Sequence, residues 1–289
     1  MGNYACRVSQ KSWSNKQLKR LGNAIRNNEE PSADLPDYDE VMMFYNDVAL
    51  KTQSRLQNLD WEPLLGARPI EITSRSKTLD TLRQKLQRKA TLQLPSVQDI
   101  AGVRFEAEMT LDEQDIVTRA IAGMFDHDTK ECSKDLREKP QSGYRALHLR
   151  LDLECRVEVQ VRTHLQGKCA NMYEAAADLY GRDIRYDSIP EDRSAGDEVR
   201  DLHGISERIA VIENARNRQT RSEISMNDFI SRHPEAQNYE SIQSAQKIAA
   251  ELSLKIAEME EEILYACDRL KNQFNHRQRE KQEGQCQDS

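Results

Sequence analysis

The sequence predicts an α+β protein, in which helices cover a mixed β-sheet and long helices form the carboxyl-terminal part. Three observations support this fold class. Segments with strand-like alternation are interleaved with segments of helical spacing between residues 37 and 180. The segment 156–163 alternates valines with polar residues, as a strand with two different faces does. A heptad pattern follows over residues 240–272.

The amino-terminal third is expected to be mainly helical. Residues 14–27 form a short amphipathic pattern, with Ser14 as a possible N-cap. A break from Pro31 to Pro36 precedes a second helix, which is predicted over 37–59 from apolar residues at helical spacing. The run PIEIT at 69–73 then predicts a strand.

The central part alternates between the two element types. The prediction is a helix at 78–90, a strand at 99–109, a helix at 111–125, a loop at 126–143, strands near 145–153 and at 156–163, and a helix near 164–180. This alternation of helices and strands is typical of a mixed sheet with helices on its faces.

The last hundred residues differ in kind. Residues 198–216 place apolar side chains on one stripe. Residues 240–272 repeat every seven residues: Ile242, Ala249, Ile256, Ile263 and Leu270 occupy one position, and Ala245, Leu252, Met259 and Ala266 the other. Such a helix needs a partner, either 198–216 in an antiparallel hairpin or a second chain in a homo-oligomer or partner complex. The expected domains are therefore 1–36, 37–190 and 191–289.

The composition and the absence of certain motifs argue against several classes of protein. The net charge of −7 disfavours a surface that grips nucleic acid as a whole. No apolar run approaches the roughly 18 residues that span a membrane, and no secretory signal is visible, so we expect a cytoplasmic protein without membrane contact. The six cysteines lack zinc spacing and are expected to be reduced. Neither a Walker A pattern nor the kinase motifs occur.

The first group of candidate site residues is a row of polar side chains. Lys77, Thr81 and Lys85 are four residues apart, which on a helix would place them on one face suited to a triphosphate. Arg75 lies just before them. By itself, such a row is more often an ordinary solvated helix face.

Two carboxylates are candidates for metal binding. Asp99 opens a predicted strand, five residues before Arg104, and could equally be a capping or turn residue. Glu158 lies on the polar face of its strand with Gln160 and Arg162. If the two strands are neighbours, the carboxylates could share Mg²⁺, or one could hold metal while the other accepts a hydroxyl proton.

The loop at 134–148 carries residues that suit a nucleotide. Gly143 permits close approach of a ligand to the backbone, and the ring of Tyr144 could stack on a base. The basic residues that could meet phosphates are Lys134, Arg137, Lys139 and Arg145. His148 alone would more often be a structural histidine.

Four ordered motifs, RSKTLDTLRQK, DIAGVR, GYRALH and VEVQVRT, resemble those of the RelA/SpoT alarmone synthetase family over about residues 40–185. The resemblance implies a nucleotidyltransferase-like sheet and Mg²⁺-dependent transfer of the β,γ-pyrophosphate of ATP to the ribose 3′-hydroxyl of GDP or GTP. The implied ATP-binding residues are Arg75, Lys77, Thr81, Lys85 and Arg104. Asp99 and Glu158 would be catalytic and hold the metal, with Glu158 as ligand or base. The implied acceptor-binding residues are Lys134, Arg137, Lys139, Tyr144 (which would stack on guanine), His148, Gln160 and Arg162.

Departures from the family pattern keep other acceptors open. Gly167 stands where many synthetases carry an asparagine that helps to recognise guanine, and the loop before Tyr144 is one residue shorter than in many members. A toxic sub-branch of the family modifies the 3′ end of tRNA or adenine nucleotides, and this is the alternative function. Nothing upstream resembles the family's hydrolase domain, so a small synthetase-only form is expected. A non-catalytic interaction protein is the less favoured alternative.

Overall fold

A computed structural model describes residues 12–138, 143–186 and 188–287. The chain divides into two compact units that interleave along the sequence. The first comprises the described parts of Met1–Glu106, Val117–Lys134 and Leu147–Val161, and the second those of Ala107–Ile116, Asp135–Ala146 and Arg162–Ser289. The three-domain division expected from the sequence stays a prediction.

The elements follow one another largely in the predicted order. The α-helices are α1 (Asn15–Asn27), α2 (Tyr38–Gln57), α3 (Glu62–Leu65), α4 (Leu79–Arg88), α5 (Leu111–Met124), α6 (Thr129–Cys132), α7 (His164–Tyr180), α8 (Arg193–Arg232) and α9 (Glu240–Gln287). The strands are β1 (Ile70–Ser76), β2 (Ala101–Ala107), β3 (Ser133–Asp135), β4 (Leu147–Asp152) and β5 (Arg156–Thr163). Short 3₁₀ turns lie at Leu94–Ser96, Arg182–Tyr186 and Pro234–Asn238. The α+β prediction is confirmed.

The strands form one sheet in the order β1-β2-β5-β4-β3, with β5 in the middle. The alternation read from the sequence decides which side chains are buried: Val157, Val159 and Val161 are completely buried, whereas Glu158 and Gln160 between them are only partly buried. β4 pairs antiparallel with β5, and its His148 lies opposite Gln160. The sheet therefore presents a polar row from its central strand.

The described part of the first unit begins with two helices. α1 begins with a capping box, in which the side chains of Ser14 and Gln17 each bond the other's backbone amide. α2 begins at its N-cap Asp37 and packs against β1. α1 begins directly after Ser14 and α2 begins just after the Pro31–Pro36 break, as predicted.

The second unit is built around α7, α8 and α9, which share one apolar core. α8 and α9 run antiparallel, as the ion pairs Arg216–Glu260 and Arg277–Glu198 show. The structure therefore contains the intramolecular hairpin that the sequence left as one of two alternatives. Both helices extend beyond the predicted 198–216 and 240–272.

Three sequence predictions need correction. The first heptad position of α9 faces the core, with Ile256 and Ile263 buried, but at the second position Leu252 and Met259 remain exposed. Cys267 and Phe274 are buried instead, because α9 packs on α7 as well as on α8. The predicted loop at 126–143 includes α6 and β3, and β2 begins at Ala101 rather than at residue 99.

Among the described residues, no helix is both long enough and apolar enough to cross a membrane.

Candidate functional site

A small polar pocket, with a cavity volume of about 30 Å³, lies in the first unit. Its walls come from the end of β1, the start of β2 and the polar face of β5. The lining residues are Arg75, Lys77, Asp99, Gly102, Val103, Arg104, Glu158 and Gln160. Residues from three of the four motifs thus meet in one place, and the two predicted catalytic carboxylates are both among them.

Asp99 is held by two ammonium groups. Nζ of Lys77 donates to one carboxylate oxygen and Nζ of Lys85 to the other, each at 2.6 Å. Burial raises the pKa of Asp99, but the two lysines outweigh burial and bring the pKa to about 2. Burial lowers the pKa of Lys77. The carboxylate is therefore ionised at neutral pH and holds both lysines at the pocket.

Contrary to the prediction from the sequence, the structure does not place Lys77, Thr81 and Lys85 on one helical face. Lys77 precedes the N-cap of α4, Thr78, so it does not share a helical face with Lys85. The two lysines converge because β1 ends beside α4 and both reach Asp99. The hydroxyl of Thr81 donates to the carbonyl of Thr78 at 2.8 Å, which places it in the first turn of α4.

Glu158 is positioned by its neighbours on the sheet. Nε2 of Gln160, two residues along the same face of β5, donates to Oε2 at 2.9 Å. Nδ1 of His148 on β4 lies 3.2 Å from Oε1. The side chain of Glu158 is 13% exposed. One of its oxygens is therefore held by an amide and the other by an imidazole.

The environment of Glu158 decides its protonation state. Burial raises its pKa and the nearby Asp99 does the same, but the hydrogen bond and charge of His148, with Gln160, produce a net lowering. A carboxylate with a lowered pKa is a weak base. This favours a role in holding a cation or orienting a hydroxyl group over complete removal of a proton before bond formation.

The donor set fits Mg²⁺. Among the described residues, no group of three or more His, Cys, Asp or Glu side chains could enclose a metal by itself. Asp99 and Glu158 would supply two carboxylates, and Mg²⁺ in nucleotide sites characteristically binds one or two carboxylates together with substrate phosphates. Asp99 and Glu158 are therefore the candidate ligands for a metal in this pocket.

The second unit contains the predicted base-stacking residue. The guanidinium of Arg162, whose side chain is buried at the end of β5, lies 5.1 Å from the ring centre of Tyr144 and donates to its hydroxyl at 2.8 Å. Tyr144 is therefore fixed from one side by a cation–π contact and a hydrogen bond.

The predicted acceptor cations are placed differently from one another. Arg137 forms ion pairs with Asp115 and Asp135 at 2.7 and 2.6 Å, so its charge is balanced within the second unit. Lys134 is exposed on β3 in the first unit. Lys139 lies outside the described residues.

Comparison with known proteins agrees with these motifs. A family model described as "Region found in RelA / SpoT proteins" matches residues 74–184. Uncharacterized proteins of Mycobacterium tuberculosis and Mycobacterium bovis are each 46% identical to this chain over 189 residues, which is 65% of this chain and 67% of theirs. The chain belongs to the RelA/SpoT family.

Solved structures of this type are more distant. The small alarmone synthetase 1 from Bacillus subtilis is 21% identical, with a TM-score of 0.48 over 65% of this chain and 97% of that one. A GTP pyrophosphokinase family protein from Streptococcus pneumoniae is 19% identical, with a TM-score of 0.44 over 63% and 95%.

The RelA/SpoT match ends at residue 184, before α8, yet α8 contributes residues that the sequence did not suggest. Ser206 bonds the loop that precedes Tyr144, and buried Glu213 bonds Thr163, which follows Arg162. A signal was present: both polar residues interrupt the apolar stripe that contains Leu202 and Ile209. Polar residues on a buried stripe need partners, and the partners Gly143 and Thr163 both belong to the motifs.

Proposed function

We propose that this RelA/SpoT protein is an ATP-dependent pyrophosphokinase that makes guanosine 3′-diphosphates from GDP or GTP. The observation that supports this most is the pocket of the first unit, in which two ionised carboxylates lie among Arg75, Lys77 and Arg104. Phosphoryl-group transfer requires neutralisation of charge and alignment of the reacting oxygens far more than covalent chemistry by the protein.

The cations are assigned to the donor nucleotide. Arg75, Lys77 and Arg104 line the pocket, and Lys85 reaches its edge through Asp99. Together they carry more positive charge than Asp99 and Glu158 carry negative charge, which leaves an attraction for a triphosphate. Thr81, in the first turn of α4, is proposed to lie along the same nucleotide.

The two carboxylates are assigned to Mg²⁺. A bound Mg²⁺ would neutralise phosphate charge and align the β-phosphoryl group. In the reaction, the acceptor 3′-oxygen forms a bond to the β-phosphorus of ATP. The bond from that phosphorus to the oxygen bridging to the α-phosphate breaks, and AMP leaves. Glu158, oriented by His148 and Gln160, receives the hydrogen bond of the 3′-hydroxyl or its proton as the new bond forms.

Tyr144 is assigned to the acceptor base. Its ring is held by Arg162 in the second unit, which suits it to stack on a purine without being reoriented. Gly167, buried on α7, offers no side chain that could read the base. This observation favours the alternative acceptors, adenine nucleotides or a tRNA 3′ end, enough to include them in the test.

An acceptor screen tests the proposal. The protein is incubated with Mg²⁺ and ATP labelled at the γ-phosphate, together with GDP, GTP, ADP, ATP or deacylated tRNA in separate reactions. The proposal expects label on GDP or GTP and release of AMP. Label on tRNA alone would assign the protein to the alternative function, and no labelled acceptor would remove the enzymatic proposal.

A further inference from the structure

We propose that α8, which lies beyond the matched family region, is a working part of the acceptor site: Ser206 and Glu213 act as positioning residues for Tyr144 and Arg162. This inference rests on the proposed function for its kinetic consequence, but the positioning itself concerns the second unit alone. Two chains of contact run from α8, one to each member of the Tyr144–Arg162 pair.

The first chain of contact runs from Ser206 to both neighbours of Tyr144. The hydroxyl of Ser206 donates to the carbonyl of Gly143. Nε of Arg145 donates to the carbonyl and the hydroxyl oxygen of Ser206, at 3.2 and 3.1 Å. The residues before and after the aromatic ring are thus tied to a single helical position.

The backbone at Gly143 permits this close approach. Its φ of +72° lies in the left-handed region, which favours glycine. A Cβ at this position would lie 3.1 Å from Cβ of Ser206, so a larger residue would push the loop away from α8. The loop and the helix are therefore fitted to each other at Gly143.

The second chain of contact runs from Glu213 to the residue after Arg162. The carboxyl group of Glu213 accepts from the hydroxyl of Thr163, and from Nε2 of Gln166 at 3.1 Å. Glu213 is 6% exposed, and its burial raises its pKa. A buried carboxyl group keeps such contacts firmly, because losing a hydrogen bond would leave one of its oxygens desolvated without compensation.

Both sets of contacts position the Tyr144–Arg162 pair. Ser206 and Glu213 are seven residues apart, which is about two turns, so they lie on the same side of α8. Ser206 fixes the loop that carries Tyr144, Glu213 fixes the end of the strand that carries Arg162, and Arg162 bonds Tyr144. A shift of α8 would therefore change the orientation of the ring on which the acceptor base is proposed to stack.

The test compares Ser206→Ala with Ser225→Ala in the full-length protein. Ser225 is an exposed serine on the same helix, whose hydroxyl donates to the carbonyl of Arg221, so its replacement controls for loss of a helical serine. Hydrogen–deuterium exchange of the segment 143–146 is measured without nucleotide, with the segment 101–107 as internal reference. Ser206→Ala is expected to speed exchange at 143–146 by about fivefold or more and to leave 101–107 unchanged, since one hydrogen bond contributes on that scale.

Kinetics provide the second measurement. Ser206→Ala is expected to raise KM for the guanine nucleotide about tenfold, with KM for ATP unchanged. Glu213→Leu is expected to act in the same direction, and Glu213→Gln, which can still accept from Thr163, to restore most of the acceptor affinity. A general loss of stability would not separate the two KM values in this way.

The outcomes distinguish the two proposals. If Ser206→Ala matches Ser225→Ala in the exchange of 143–146, or if both KM values change equally, the positioning role is overturned. If the wild-type protein labels no nucleotide acceptor, the proposed function fails, and the exchange measurement still decides whether α8 positions Tyr144.

Discussion

The double ion pair of Asp99 makes one substitution especially informative. Asp99→Asn removes the charge that holds Lys77 and Lys85, each now 2.6 Å from a carboxylate oxygen. The pKa of Asp99, about 2 against an ordinary 3.8, corresponds to about 2 kcal/mol of net attraction by its surroundings. We expect the substitution to lower the free energy of unfolding by about that amount at neutral pH.

The same attraction opposes nucleotide binding. In the proposed complex, the lysines that pair with Asp99 must turn toward phosphate oxygens. Without Mg²⁺, Asp99→Asn should therefore bind ATP at least as tightly as the wild type, and up to about 30-fold more tightly if all of the ~2 kcal/mol is released. With Mg²⁺, it should form product at least about 1,000-fold more slowly, because one metal-binding carboxylate is gone.

Calorimetry in EDTA and product formation in Mg²⁺ measure the two effects separately. Asp80→Asn is the matched control, because Asp80 is an exposed carboxylate in α4 that pairs with Arg83. This control should change neither measurement by more than about twofold. Two results would refute this role of Asp99: a loss of ATP binding in EDTA as complete as the loss of product formation, or product formation by Asp99→Asn near the wild-type rate.

Glu158→Gln should keep its affinity for ATP and form product about 1,000-fold more slowly. His148→Ala, which releases one oxygen of Glu158, should form product about tenfold more slowly. Equal effects of the two substitutions in a single-turnover assay would contradict the positioning of Glu158 by His148. Because the folded-state pKa of Asp99 is lowered, its contribution to stability is present above about pH 4 and is lost as the pH falls toward 2. Between these pH values, chemical denaturation should show that the wild type loses about 2 kcal/mol more stability than Asp99→Asn does. Truncation after residue 190 should give an insoluble or molten fragment, because α7 would lose the buried side chains of α8 and α9; a fragment that is soluble and unfolds cooperatively would contradict this.

Local patterns were enough to predict most of the fold. The N-cap at Ser14, the break from Pro31 to Pro36 and the alternation of β5 are decided by neighbouring residues. The structure follows each of them, except that Arg162 at the end of β5 is buried rather than on the partly exposed polar face. β3 was missed because three residues are too few to show an alternating pattern. The heptad of α9 was predicted with the right period but one wrong position, since its buried stripe is decided by two partner helices rather than by the repeat alone.

The candidate site was less completely predictable. The motifs predicted Asp99, Glu158 and the lysines as site residues. Only the folded chain shows that Lys77, which precedes α4, contacts Asp99. The positions of Ser206 and Glu213 depend on where α8 packs, which no local pattern of motif residues contains. Contacts between distant parts of the sequence explain what was missed in both cases.

The most direct test of the proposed function measures both products of one reaction. The wild-type protein and Asp99→Asn are incubated with ATP, Mg²⁺ and GDP or GTP, and AMP and the guanine nucleotide product are quantified by mass spectrometry. The proposal predicts one AMP for each guanosine that gains a 3′-diphosphate in the wild type, and almost none of either in Asp99→Asn. AMP without a diphosphorylated guanosine, or equal product from both proteins, would contradict it.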